Sequence, residues 1–107
     1  MRTCSAQELK EKLDRGDEFM LLDVRSAAEL KTASVKGCTH IPLDMLDDRM
    51  SELEPWKTKE IVVMCHHGMR SQMAQEYLES NGFKRVRNLT GGIDAYSVHA
   101  DPAVPRY

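Results

Sequence analysis

The sequence holds no surplus of positive charge, no long apolar run and too few cysteines for a disulfide framework. Lysine and arginine number 15 against 17 aspartates and glutamates, a formal charge of −2. A nucleic-acid partner requires a basic footprint and an anionic membrane surface a polybasic patch, so neither is expected. No stretch approaches the ~20 apolar residues of a spanning helix. The opening residues, Met1-Arg2-Thr3-Cys4-Ser5, lack the apolar centre of an export signal, which makes the reducing cytoplasm the expected compartment. Three cysteines cannot all pair, so at least one thiol is left free. Internal repeats, low-complexity tracts and interdomain linkers are also missing.

What is present is an ordinary globular composition, 41% apolar and 30% charged. A length of 107 residues makes one domain and can bury a core without staples. Residues 1–107 are read as that single domain, with 99–107 as an extended C-terminal tail. Strands alternate with helices along the chain. Ser5-Ala6-Gln7-Glu8 has capping-box spacing, Leu9 and Leu13 share a helical face, and Gly16 stops the helix. Phe19 to Val24 is an apolar run broken only by Asp23, as in parallel strands covered on both faces. Ser26 can cap a short helix over Ala27 to Lys31. His40-Ile41-Pro42 reads as a very short strand. Asp44 to Leu53 is expected as a helix with Leu43, Leu46 and Met50 on one face, ended by Glu54-Pro55. Lys57 to Glu60 leads into an Ile61-Val62-Val63-Met64 strand. Ser71 to Ser80 is expected as the best-formed helix, Arg85 to Leu89 as a last strand, and Ile93 to Val98 as a final short helix. The pattern predicts an α/β fold with a mostly parallel central sheet and helices on both faces.

The chain is organised around Cys65-His66-His67-Gly68-Met69-Arg70-Ser71. A cysteine at the end of a buried strand, followed by a glycine-bearing curl and a helix, sits where open parallel sheets bind their ligands. Gly68 gives the backbone the freedom to curl. Successive N–H groups of such a curl, with the positive end of the next helix, form an anion-binding nest that favours a thiolate nucleophile. Cys-x-x-Gly-x-Arg-Ser after a strand resembles the active-site loop of the rhodanese family, the sulfurtransferases. Leu21-Leu22-Asp23-Val24-Arg25 resembles that family's first buried strand. Gly37-Cys38-Thr39-His40-Ile41-Pro42 resembles its Gly-Ala-x-Asn-Ile-Pro stretch. Asn88 to Tyr96 resembles its closing Gly-Gly-x-x-Ala-Trp segment. The departures are Ala33-Ser34-Val35 for Gly-His-Ile, Cys38 for Ala, Tyr96 for Trp, and Met69 at a loop position that is often basic.

The resemblance implies a rhodanese-like fold and thiosulfate sulfurtransferase activity. Cys65 would take a sulfane sulfur from a small anionic donor such as thiosulfate, or from a persulfide. It would pass that sulfur, as a persulfide, to cyanide, a cellular thiol or a partner protein. His66, His67, Gly68, Met69, Arg70 and Ser71 would form the substrate-binding loop, with Asp23 and Arg25 in support and no cofactor. Two alternatives stay open. Phosphatases and arsenate reductases on the same architecture carry a loop one residue longer, and non-catalytic interaction modules often lose the cysteine. No metal is expected, because Cys65, His66 and His67 are adjacent and zinc ligands are usually spaced. The two histidines are expected at the rim, and Asp23 is expected to bond loop amides. Arg70 either binds an anionic substrate or anchors the loop on a carboxylate. Arg25 and Glu29 have the spacing of a helical pair. Met20, Met45, Met50, Met64 and Met73 are expected on core faces and Met69 at the pocket mouth. Cys4 and Cys38 are read as structural rather than as relay thiols, and His99 as a surface residue.

Overall fold

Two strands are buried from end to end. Strands β2 (Met20–Asp23) and β4 (Glu60–Met64) are buried throughout, as parallel strands must be when helices cover both faces. The structure is a computed structural model describing residues 2–107. With β1 (Thr3–Cys4), β3 (Thr39–His40) and β5 (Arg85–Leu89) they form one sheet in the order β1-β5-β4-β2-β3, every pairing parallel. Successive side chains leave a strand on opposite faces, which divides the core in two. Leu22, Ile61 and Val63 meet Leu46, Leu53, Ala74 and Leu78 on one face. Leu21, Val62 and Met64 meet Leu9, Ile93 and Tyr96 on the other. Cys65, just past β4, keeps the parity of Ile61 and Val63 and joins the first cluster.

Helix α1 (Ala6–Arg15) opens on the expected capping box, Ser5 with Glu8, and closes on Gly16 in a left-handed conformation. Helix α2 (Ala27–Thr32) is capped the same way by Ser26 and Glu29. Helix α3 spans Met69–Ser80 and α4 spans Gly92–His99. Among the described residues no helix is long and apolar enough to cross a membrane.

Several expectations need correction. The helix expected over Asp44–Leu53 is instead two 3-10 segments, Leu43–Met45 and Met50–Trp56, with Pro55 inside the second. Met50, Leu53 and Trp56 recur every third residue, which stacks them on one side of a three-residue turn. All three pack against the first core cluster, so burial selects the tighter helix. Glu60 is the first residue of β4 rather than part of the connection, and pairs with Lys12 and Arg87. Thr3–Cys4 forms an edge strand that the sequence did not announce. Met45 and Met73 are 44% and 59% exposed, not core. The residues after α4 are not extended away from the body. They turn back, Val104 is buried, and its carbonyl accepts a bond from Ser97 Oγ.

The two environments on this face predict contrasting outcomes. Leu53→Ala removes a fully buried side chain and should cost about 2–5 kcal/mol. Met73→Ala should stay within about 0.5 kcal/mol, as exposed substitutions do. Urea unfolding followed by circular dichroism reads both; similar costs would contradict the packing described.

Candidate active site

Cys65 is 1% exposed, and its sulfur is met by polar groups on the side of the loop. The Gly68 amide donates to Cys65 Sγ at 3.0 Å, and Ser71 Oγ lies 3.3 Å from it. Gly68 has φ 116°, a conformation open to glycine, and α3 begins at the next residue. The helix therefore turns its positive end toward the sulfur. Ser71 is buried and bonds Asn88 Oδ1 at 2.5 Å, while Asn88 Nδ2 donates to the Gly68 carbonyl at 3.1 Å. A serine hydroxyl has one proton, so Ser71 can give it to Asn88 or to sulfur but not to both.

A second helix holds the other side of the loop. Ile93 N donates to the Cys65 carbonyl at 2.9 Å and Asp94 N to the His66 carbonyl at 3.2 Å. These are N-terminal amides of α4, which have no partner inside their own helix. The approach is close enough that a Cβ on Gly92 would fall 2.4 Å from the His66 oxygen and 2.5 Å from the Cys65 oxygen. Gly92 itself has φ 62°.

Arg70 is engaged. Its Nη1 and Nη2 donate to the two carboxylate oxygens of Glu29 at 2.6 and 2.8 Å. Pairing with a carboxylate is the arrangement a loop anchor would make. The Arg70 bond holds the Glu29 carboxyl well below the usual carboxylate range, helped by the Tyr107 hydroxyl and by Ser26. Reciprocally, Glu29 pushes Arg70 up. Arg25 does not pair with the Glu29 carboxylate as its spacing suggested. It precedes the Ser26 cap, outside the helix, so the i,i+4 geometry does not apply. Arg25 pairs instead with Asp23 at 2.6 Å, both fully buried. Asp23 accepts the Arg25 amide at 3.0 Å, and no bond to the Cys65 loop is found for it among the described residues.

His66 is half-buried, with its ring stacked on Tyr107 at 3.9 Å and 7° and against His67 at 3.9 Å. Its Nε2 is buried and has no partner among the described residues. His67 is exposed, 4.0 Å from Asp94, and Met69 is 80% exposed. A cleft of about 360 Å³ opens beside Arg70, lined also by Val24, Ser26, Pro42, Leu43 and Asp44. Burial raises the thiols of Cys4 and Cys38.

Residues 5–99 match the family described as the rhodanese-like domain. The chain belongs to the rhodanese-like family. Among curated relatives, it is 33% identical over 99 residues to a protein of Allochromatium vinosum named sulfurtransferase, covering 92% of this chain and 91% of the relative. It is 42% identical over 95 residues to the rhodanese-like/PpiC domain-containing protein 12 of Arabidopsis thaliana, covering 85% of this chain. The chain spans only 31% of that longer relative's length. Among solved structures, the crystal structure of a rhodanese-related protein from Thermoplasma volcanium aligns with a TM-score of 0.84 and 30% identity over the full length of both chains.

Asn88, Glu29, Gly92 and Tyr107 were not singled out for the site in the sequence. Asn88 and Gly92 lay inside the closing motif but nothing local linked them to Cys65. Glu29 was assigned to the wrong arginine. Tyr107 follows two prolines with no periodicity to place it, yet its hydroxyl donates to Glu29 at 2.7 Å and accepts from Arg25 at 2.9 Å.

Two outcomes follow from this geometry. Gly92→Ala should displace the Cys65 and His66 carbonyls and slow alkylation of Cys65 by about tenfold, a loss of about 1.4 kcal/mol in positioning; an unchanged rate would remove the close approach as a constraint. Glu29→Gln should cost about 1–2 kcal/mol at neutral pH by weakening a charge-assisted pair. Because the folded carboxyl titrates below its unfolded value of ~4.3, the stabilisation is full above that pH and is lost as the pH falls through the folded value. Parent and variant should therefore converge in acid, as read by urea midpoints against pH.

Proposed function

We propose that the protein is a sulfurtransferase that carries sulfane sulfur as a persulfide on Cys65. The supporting observation is the setting of Cys65 Sγ, bonded by the Gly68 amide at 3.0 Å in front of the α3 N-terminus. The names of its relatives agree: besides the Allochromatium sulfurtransferase, a Bacillus subtilis relative, 37% identical over 89 residues and about twice this chain's length, is named a putative sulfur carrier protein. In the first step the Cys65 thiolate attacks the sulfane sulfur of thiosulfate or of a persulfide donor. The new S–S bond forms as the donor's bond breaks, and sulfite or a thiolate departs with the electron pair. In the second step an acceptor nucleophile takes the outer sulfur, and Cys65 leaves as thiolate. There is no net oxidation and no cofactor in this cycle. The Gly68 amide and the α3 N-terminus hold negative charge on sulfur, the role an oxyanion hole plays for oxygen. Ser71 can turn its proton from Asn88 to whichever sulfur is charged. We place this exchange in the cytoplasm, where thiols stay reduced; the three free cysteines suit that setting.

Intact mass spectrometry after thiosulfate, and separately after a low-molecular-weight persulfide, should show the mass of one added sulfur, mapped to Cys65 and released by cyanide. Cys65→Ser should take up none. Sulfur mapped to Cys38, or hydrolysis of an aryl phosphate faster than sulfur transfer, would overturn the assignment.

A further inference from the structure

Met69 and Met73 are four residues apart on α3, which puts them on one helical face with Tyr77 beyond them. They are 80% and 59% exposed. The stripe starts inside the Cys65 loop and runs down the helix away from it. Facing it is the 3-10 segment Leu43–Met45, with Met45 itself 44% exposed. Between them lies a groove of about 260 Å³ lined by Leu43, Leu46, Asp47, Met73 and Tyr77. Leu43 also lines the cleft beside Arg70, so apolar surface continues from the active-site loop to Tyr77. Exposed methionines on either side of a groove form an adaptable contact surface, because the thioether chain is flexible and polarisable.

The unpaired charge at this groove has one sign. Asp44, Asp47 and Asp48 are exposed, and among the described residues none of them forms an ion pair. Asp47 accepts the Tyr77 hydroxyl. Arg70, the cation at the head of the groove, is already taken by Glu29. An apolar floor with an unanswered acidic rim complements an apolar segment flanked by lysine or arginine. It offers a small anionic thiol nothing.

We propose that this groove docks the protein that exchanges sulfur with Cys65, through an apolar segment of that partner flanked by basic residues and bearing the reacting cysteine. The proposal rests on the persulfide reading of Cys65. In the exchange the partner's thiolate attacks the outer sulfur, the bond to Cys65 Sγ breaks, Cys65 leaves as thiolate, and the sulfur moves as the partner's persulfide.

The test loads Cys65 with sulfur, removes excess donor and confirms the load by intact mass. Acceptors are then synthetic peptides with one cysteine each: two leucines between lysines, two leucines between glutamates, and two serines between lysines, with cyanide alongside. Comparing each rate with that of Met73→Ser and of the double variant Asp47→Asn/Asp48→Asn cancels the peptides' own thiol acidity. Transfer to the leucine–lysine peptide should fall about fivefold in either variant, equivalent to about 1 kcal/mol. Transfer to the leucine–glutamate peptide should not fall in the charge variant, and transfer to cyanide should hold in both. Equal effects on all acceptors, or none, would overturn the docking site. So would a dimer in light scattering that Met73→Ser dissolves, since a second copy would then own the groove. A parent that takes up no sulfur would overturn the persulfide reading and this proposal together.

Discussion

A guanidinium taken fully out of water must have every donor answered, and Arg25 sets that requirement at the centre of the molecule. Its Nε and Nη2 meet Asp23, Nη2 also meets the Ala33 carbonyl at 2.7 Å, and Nη1 meets the Glu29 carbonyl and the Tyr107 hydroxyl. A buried charge left partly unanswered costs several kcal/mol, so these contacts stand or fall together. They join the end of β2, both ends of α2 and the last residues of the chain. Its own carbonyl accepts His40 Nε2 at 2.7 Å, which fixes the proton on that nitrogen and ties in β3. Through Glu29 the same knot reaches Arg70, and through Arg70 the Cys65 loop.

That connection defines the electrostatics of the loop. Each arginine around it is answered by a carboxylate of the same chain: Arg25 by Asp23, Arg70 by Glu29, Arg106 by Asp94. Fixed dipoles, the Gly68 amide and the α3 N-terminus, therefore act on the sulfur alongside the already paired Arg70. Fixed dipoles of this kind are already oriented before any substrate arrives and need not reorganise during transfer. The Ser71–Asn88 pair adds the one adjustable donor.

The sheet and its helices could be read from the sequence because their signals are local. The capping box at Ser5 and the cap at Ser26 announce α1 and α2, apolar runs announce β2 and β4, and Gly68 marks the turn between β4 and α3. The errors fall where a distant partner decides the outcome. The Leu43–Trp56 stretch has a helical look, but its three-residue spacing of Met50, Leu53 and Trp56 follows the surface it packs on. Glu29 sits four residues after Arg25 and yet serves Arg70, forty-one positions away in the chain. Tyr107 could not be placed because nothing near it in sequence carries the His66 ring or the Arg25 guanidinium that hold it.

Both ends of the described chain lie outside the 5–99 stretch that matches the family, and both brace the site. At the start, the Arg2 carbonyl accepts the Asn88 amide at 3.1 Å and also Gln75 Nε2 at 2.8 Å, so edge strand β1 sets the height of the strand that carries Asn88. At the other end, Tyr107 lies flat on His66. A recombinant version trimmed to the matching stretch would keep every motif and lose both braces. A fusion partner joined after Tyr107 would emerge beside the Cys65 loop, whereas one joined ahead of Arg2 would emerge beside edge strand β1. Where such a protein is cut or tagged is thus already a choice about how firmly its reactive loop is held.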